Sequence, residues 1–288
     1  MNSSILPLRF FFFTLCFLTG CISENHQFSQ KDVTFYGTGK VSRYQQHSDG
    51  SLEPLNPLFF AEIFITEGGN VNDATVVVPD EQESIIKLLF RHSESDEIGD
   101  VMYHSEMLES YETLEEKYPM GAYRFSFETS EGRVLNSIVS YRNKSFPNHP
   151  VIMFYQNDMR IGINEVDSTK ELIIKWPEFS AGQSDPNNIL DDPIFVAIDS
   201  CIMEDIIHSG RPFEKNGYLN YQAKEYNVPA NKLEPGQTYA MYVEHAIFTN
   251  TQDDFGMPGF ATLASSTYMD FQTLGMTDPD YCMRVPRK

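Results

Sequence analysis

The sequence predicts an all-β protein, two antiparallel β-sandwiches in tandem behind a short N-terminal address. Three observations carry this. Apolar residues recur with period two, as in LFFAEIFI and YRFSFET, and that period puts alternate side chains on opposite faces of a strand. Turn-forming Gly, Pro, Asp and Asn separate these segments at short intervals, with little helical periodicity between them. Finally, 22 Phe and 15 Tyr stand against a single Trp, and aromatics pack well on pleated faces. With 288 residues and 41% hydrophobic content, the chain has room for one large or two ordinary domains and is too apolar to stay disordered.

The N-terminus reads as an export signal. Arg9 is its only charge, and an apolar run from Phe10 to Leu18 follows. That run is too short to cross a bilayer, which takes roughly 20 apolar residues. A small-residue processing site closes it. Leu18-Thr19-Gly20-Cys21 resembles the lipobox of bacterial lipoproteins. In that family the cysteine sulfur takes a diacylglycerol, the signal is removed before it, and the new amine is acylated. The resemblance makes Cys21 the lipidated first residue of the mature chain, and residues 1–20 the signal peptide. Family members with Asp after the cysteine are usually kept in the inner membrane. Ile22 stands there, which implies the outer membrane. Residues 21–31 are polar and aperiodic and read as a tether.

The first sandwich is expected over residues 32–145. VTFYGTGKVSRYQQ reads as an extended stretch broken by glycines. LFFAEIFITEGG alternates Phe59, Ala61, Ile63 and Ile65 against Phe60, Glu62, Phe64 and Thr66, then stops at a Gly pair. DATVVVPDEQESIIKLLFRH reads as strand, turn and strand, and the acidic loop SESDEIGD follows. The helix candidate is TLEEKYP, where Thr113 and Glu116 fit a capping box and Pro119 ends the run. Tyr123, Phe125 and Phe127 share one face of a strand that turns at Ser130-Glu131-Gly132 into a partner.

NKSFPNHP marks the expected boundary, and the second sandwich is expected over 146–288. VIMFYQ and TKELIIKWPEF read as strands. DDPIFVAIDSCIMEDIIHSGRPF reads as two more around a turn at Met203 to Asp205. In LEPGQTYAMYVEHA, residues Leu233, Pro235, Gly236 and Tyr239 resemble the late turn and strand of a fibronectin type III domain, an Ig-like sandwich. The resemblance runs roughly from Pro150 to Phe248. It implies that Tyr239 is a corner tyrosine, with its ring in the core and its hydroxyl on nearby backbone. It also implies that Trp176 points inward from an early strand. The tail from Thr249 to Lys288 exceeds such a module and is expected to add strands or cover an edge.

No motif fixes a reaction. The chain lacks a Gly-x-Ser-x-Gly elbow and a His-Glu-x-x-His pair, and YGTGK is no phosphate loop. Its net charge of −20 repels nucleic acid and excludes it as a partner. The acidic clusters are Asp96, Glu97 and Asp100; Asp185, Asp191 and Asp192; and Asp253 and Asp254. The loop holding Asp185, Asp191 and Asp192 also carries Asn187 and Asn188. It is the best calcium candidate, since hard cations gather oxygens; otherwise no cofactor is expected. Trp176 and Tyr239 read as core, so the sugar-stacking candidates are the loop residues Tyr218 and Tyr221. His245 reads as structural, because it and Glu244 face opposite sides of a strand. Cys201 and Cys282 either form a disulfide, which export permits, or lie apart as buried thiols.

The resulting expectation is a lipid-anchored, non-enzymatic binding or interaction module of the bacterial envelope, with a protein or glycan partner. Two alternatives stay open: a carbohydrate-binding or glycoside-hydrolysing protein, and a structural spacer. Mass spectrometry of cell-derived protein should find an acylated Cys21 at the mature start; an unmodified thiol there contradicts the lipobox reading.

Overall fold

The computed structural model describes residues 31–91, 101–142, 145–215, 217–279 and 281–283. Cys21 and the cluster Asp96, Glu97 and Asp100 lie outside them. In the first half the strands are β1 (Val33–Gln46), β2 (Leu52–Pro54), β3 (Leu58–Ile65), β4 (Val71–Val77), β5 (Ile85–Lys87), β6 (Leu89–Arg91) and β7 (Val101–Met107). The helix α1 (Tyr111–Lys117) leads to β8 (Ala122–Thr129) and β9 (Gly132–Ser140). The second half holds β10 (Met153–Gln156), β11 (Met159–Ile161), β12 (Leu172–Lys175), β13 (Pro193–Asp199), β14 (Ile207–His208), β15 (Leu219–Asn220), β16 (Glu225–Val228), β17 (Thr238–Gln252) and β18 (Gly259–Gln272).

The all-β expectation holds, and the strands form three sheets. A ten-stranded sheet runs β14-β13-β17-β18-β1-β3-β7-β6, with β15 on β13 and β2 on β1. Two four-stranded sheets, β5-β4-β8-β9 and β11-β10-β12-β16, pack on its inner face and make two cores. The first joins Tyr36, Phe59 and Ile63 of the large sheet to Val76, Phe125 and Phe127 of the small one. The second joins Val196, Val243 and Phe271 to Phe154, Ile174 and Val228. Each large side chain so buried stabilises the fold by roughly 1.5–3 kcal/mol.

Tyr141 is buried in the first core and Ile152 in the second. The large sheet, however, does not stop there. β1 pairs with β18 in parallel from Tyr36↔Gly259 to Gln45↔Tyr268, while every other strand pair of that sheet is antiparallel. Residues of β18 serve both cores: Ala261 and Leu263 the first, Met269 and Phe271 the second. The tail expected to add strands or cover an edge thus supplies a central strand. Without this pairing, β1 and β18 would each present a long row of unpaired backbone groups.

Between the cores the inner face carries a polar belt: Lys40 and Ser42 on β1, His245 on β17, Ser265 on β18, all buried. The crossing segment satisfies much of it. The Ser265 hydroxyl donates to the Pro147 carbonyl at 2.7 Å, and His245 Nδ1 donates to the Asn148 carbonyl at 3.0 Å. Gln46 exchanges two hydrogen bonds with the Ile152 backbone, at 2.7 and 2.8 Å. Lys40 reaches Glu115 at 2.9 Å. A polar, proline-containing segment therefore suits the place where apolar packing stops.

Several local expectations change. The glycines of β1 do not break it. A Cβ on Gly37 would stand 2.3 Å from the Phe260 carbonyl oxygen, and one on Gly39 would stand 2.0 Å from the Phe60 ring. Both mark close approach within a continuous strand. The run IIKLLFR divides between sheets, with buried Leu88 at the crossing. The helix is capped by Ser110 and not by Thr113: Ser110 is extended (φ −152°), and its Oγ accepts the Thr113 N–H at 3.2 Å. The corner tyrosine is present, since Tyr239 is buried and its hydroxyl accepts the Glu234 N–H at 2.8 Å. Trp176 is core, and its indole N–H donates to the Ala223 carbonyl at 3.2 Å.

Candidate functional site

The outer face of the ten-stranded sheet is covered by neither small sheet. Alternation places there Phe35, Gly37, Gly39, Val41 and Arg43 of β1, Phe60, Glu62 and Phe64 of β3, Phe195 of β13, Tyr242, Glu244, Ala246 and Phe248 of β17, and Phe260, Thr262, Ala264, Ser266 and Tyr268 of β18. The strand registers align them in cross-strand rows. Glycine, alanine and threonine in the middle leave room for aromatic rings above them. The result is a trough with a cavity of about 260 Å³, lined by Phe60, Phe195, Tyr242 and Phe248 with Glu62 and Glu244.

Two loops border the trough. The end of β14 and the loop after it bring His208, Arg211 and Pro212 onto its wall. Phe213 holds a left-handed backbone (φ 67°), unusual for a bulky residue, with its ring 5.6 Å from that of Phe35. Arg211 is bound to Asp205 at 2.9 Å and to Glu214 at 3.6 Å. At one end Phe35 stacks on Phe64 (4.3 Å) and Phe260 (5.3 Å), and Phe248 meets Phe260 at 4.3 Å. Leu190 and Tyr218 close this cluster.

Glu244 is the chemically distinctive group. Burial pushes its carboxyl up to about 7, against the Ser266 hydroxyl, which donates to it, and the nearby Arg43. The Arg43 guanidinium lies over the Tyr268 ring, 4.7 Å from its centroid, and donates to the Asn56 carbonyl at 3.3 Å. An apolar pocket with a few convergent polar groups and a carboxyl titrating near neutrality is the usual physical signature of a binding site. A roomier cleft of about 830 Å³ lies beside Pro79 and Pro119, but its lining is mostly turn residues open to solvent.

The residues singled out in the sequence fall partly at the trough's rim. Asp185, Asp191 and Asp192 come together there, but their oxygens are committed to the chain itself. Asp185 accepts from the Asn187, Ile189 and Leu190 N–H groups and from the Thr251 hydroxyl, at 2.7 to 3.1 Å. Burial raises its pKa, and these bonds outweigh burial and hold it below the usual range. Asp191 accepts from Asp185 N–H at 2.9 Å, and Asp192 from Gln183 and Phe248 N–H at 3.0 and 2.8 Å. Among the described residues no group of three or more His, Cys, Asp or Glu is arranged to hold a metal. The loop is braced on β17 in the way a capped turn is braced.

Tyr218 packs on the aromatic cluster, its hydroxyl 3.4 Å from the Asp191 carbonyl. Tyr221 packs instead on the second core. The two do not form a platform together. His245 is stacked on Phe179 at 4.3 Å, on the inner face away from Glu244. Burial lowers its pKa to about 4, so it is neutral at physiological pH. Asp253 and Asp254 are exposed at the β17–β18 turn. Cys201 and Cys282 are joined by a disulfide, with Cα atoms 5.4 Å apart. It closes a span of 81 residues, which in the chain-entropy picture contributes about 4–5 kcal/mol. The trough's signal in the sequence was the second row of β3, Phe60, Glu62 and Phe64, which holds two aromatics where the core row holds one, Phe59.

Among solved structures, the chain is similar to the FN1-FN3 domains of chicken CNTN1, at 9% identity and a TM-score of 0.25, over 84% of this chain and 69% of that one. It is also similar to the Yersinia pseudotuberculosis adhesin InvE, at 8% identity and a TM-score of 0.16, over 85% of this chain and 61% of that one. Scores of this size assign neither fold nor function. The chain matches no protein-family model, and no curated protein sequence matches it.

The Glu244 environment has a consequence for stability. A carboxyl with a raised folded-state pKa stabilises the fold most below its unfolded value near 4.3, and that contribution is lost as pH rises through about 7. Urea melts from pH 5 to 8 should therefore show a fall on the order of 2–3 kcal/mol that Glu244→Gln flattens. Parallel pH profiles of the two proteins would contradict the assignment.

Proposed function

We propose that this chain is a non-enzymatic binding module, held to the bacterial outer membrane through acyl chains on Cys21, that receives its partner in the outer-face trough. The observation that carries this is the trough itself: aromatic rings around the half-buried Glu244 carboxyl, on the sheet face that neither small sheet covers. A rigid sheet floor holds such rings in fixed positions, so binding orders few side chains.

The test uses the mature protein in detergent on glycan and peptide arrays. Ligands should be retained, and Phe195→Ala should weaken them at least about tenfold, as truncation of an aromatic anchor does, with little change in melting temperature. Ligands bound equally by Phe195→Ala, or none on either array, would contradict the proposal.

A further inference from the structure

We infer that residues 145–152, the segment leading from the first core to the second, form an acid-released latch. The segment sits on the polar belt while His149 and His245 are neutral, and it lifts as they take up protons, baring Ser42 and Ser265.

Hydrogen-bond directions carry this. The Asn148 carbonyl only accepts, so His245 donates to it from Nδ1 at 3.0 Å. Nε2 of the neutral ring is then a lone pair, and that atom is buried with no hydrogen-bond partner among the described residues. A proton there would add a charge and a donor with no acceptor to meet it, in a buried ring stacked on Phe179. His149 is fixed from the sheet side. The Tyr111 hydroxyl donates to Ser42 Oγ. The one Ser42 proton is left for His149 Nε2, 3.0 Å away. This relay accepts a neutral ring, which meets Tyr44 edge-on at 3.9 Å. A proton on Nε2 would set two donors face to face and leave the Ser42 proton without its acceptor.

Both bonds fall on neighbouring residues of one segment. Asn148 is exposed and His149 half-buried, so water reaches this stretch without either core opening. The titratable and charged groups around the rings come from several elements. β1 brings Lys40 and Tyr44, and α1 brings Tyr111 and Glu115. Tyr141 follows β9, and Glu178 follows β12. Each imidazole also neighbours the other. Lys40 is held by Glu115 at 2.9 Å and lies over the Tyr141 ring. The Glu178 carbonyl accepts from Asn148 Nδ2 at 3.4 Å, and its own side chain is exposed. Glu244 faces the other side of the sheet.

Burial lowers the pKa of both rings. That of His245 falls to about 4, against the Asn148 hydrogen bond and with the help of nearby His149. Values depressed in the seated state give a hold that is complete above the ordinary value near 6.5 and is lost as pH falls toward 4.

The reporter is the His245 ring N–H, followed by NMR in the mature protein in detergent. Its exchange with water is referenced to free imidazole at the same pH. Protection should fall at least about tenfold from pH 6.5 to 4.5. The core amides of Phe125 and Ile174 should fall less, because global unfolding also exposes Glu244, whose effect on stability has the opposite sign. His149→Gln keeps an acceptor for Ser42 and cannot ionise, so it should make the fall shallower; the wild-type profile stands as the test should that variant misfold. Nitrogen-15 spectra at pH 7 should show both rings protonated at Nδ1. Ring protection that stays constant, or that falls only in step with Phe125 and Ile174, would overturn the inference. So would an Nε2-protonated form of either ring.

Discussion

The parallel pairing of β1 with β18 is the contact on which the rest of the structure depends. It joins strands from opposite ends of the described chain over ten paired positions. Each sandwich would otherwise end in a long bare strand edge, and such edges invite aggregation. Pairing them with each other satisfies both rows and turns two half-sheets into one. The polar belt on the inner face follows from this. A single sheet spanning two small ones has a gap between their footprints, and the crossing segment fills it with carbonyl acceptors for Ser265 and His245. Buried polar groups are tolerable when so partnered.

The same seam creates the trough. Gly37 and Gly39 of β1 lie beside Phe260 and Thr262 of β18. A side chain at Gly39 would collide with the Phe60 ring, so the bare backbone is what lets that ring lie down across the sheet. The aromatic rows of β3, β17 and β18 then converge over a floor of small residues. A carboxylate on this floor loses hydration, which explains the raised pKa of Glu244 despite Arg43 nearby. One backbone pairing thus supplies both the continuity of the fold and the chemistry of its outer face.

Much of the fold was legible in the sequence. Period-two alternation located β3, β8 and β9 and named the buried row of β8, Tyr123, Phe125 and Phe127, because a half-buried strand writes its burial directly into composition. Tyr239 and Trp176 were read as core from the resemblance of LEPGQTYAMYVEHA and LIIKWPEF to strands of a fibronectin type III domain. The β1–β18 seam was not legible. Nothing in VTFYGTGKVSRYQQ announces a partner so distant in sequence, and the glycines that permit close approach look the same as glycines that end a strand. The trough was missed for a related reason. An aromatic on an alternating strand reads as core, and only the arrangement of sheets shows that β3 has two aromatic faces with one left uncovered. Asp185, Asp191 and Asp192 suggested a cation because sequence shows carboxylates but not the N–H groups aimed at them.

Native-state hydrogen exchange at the seam tests the central claim most directly. The account predicts that the amides of β1 from Tyr36 to Gln45 and of β18 from Gly259 to Tyr268 exchange only through global unfolding. They would then share one opening free energy with Phe125 in the first core and Ile174 in the second. Two distinct opening energies for the cores, with the seam exchanging before either, would show two separate modules in edge contact and contradict it.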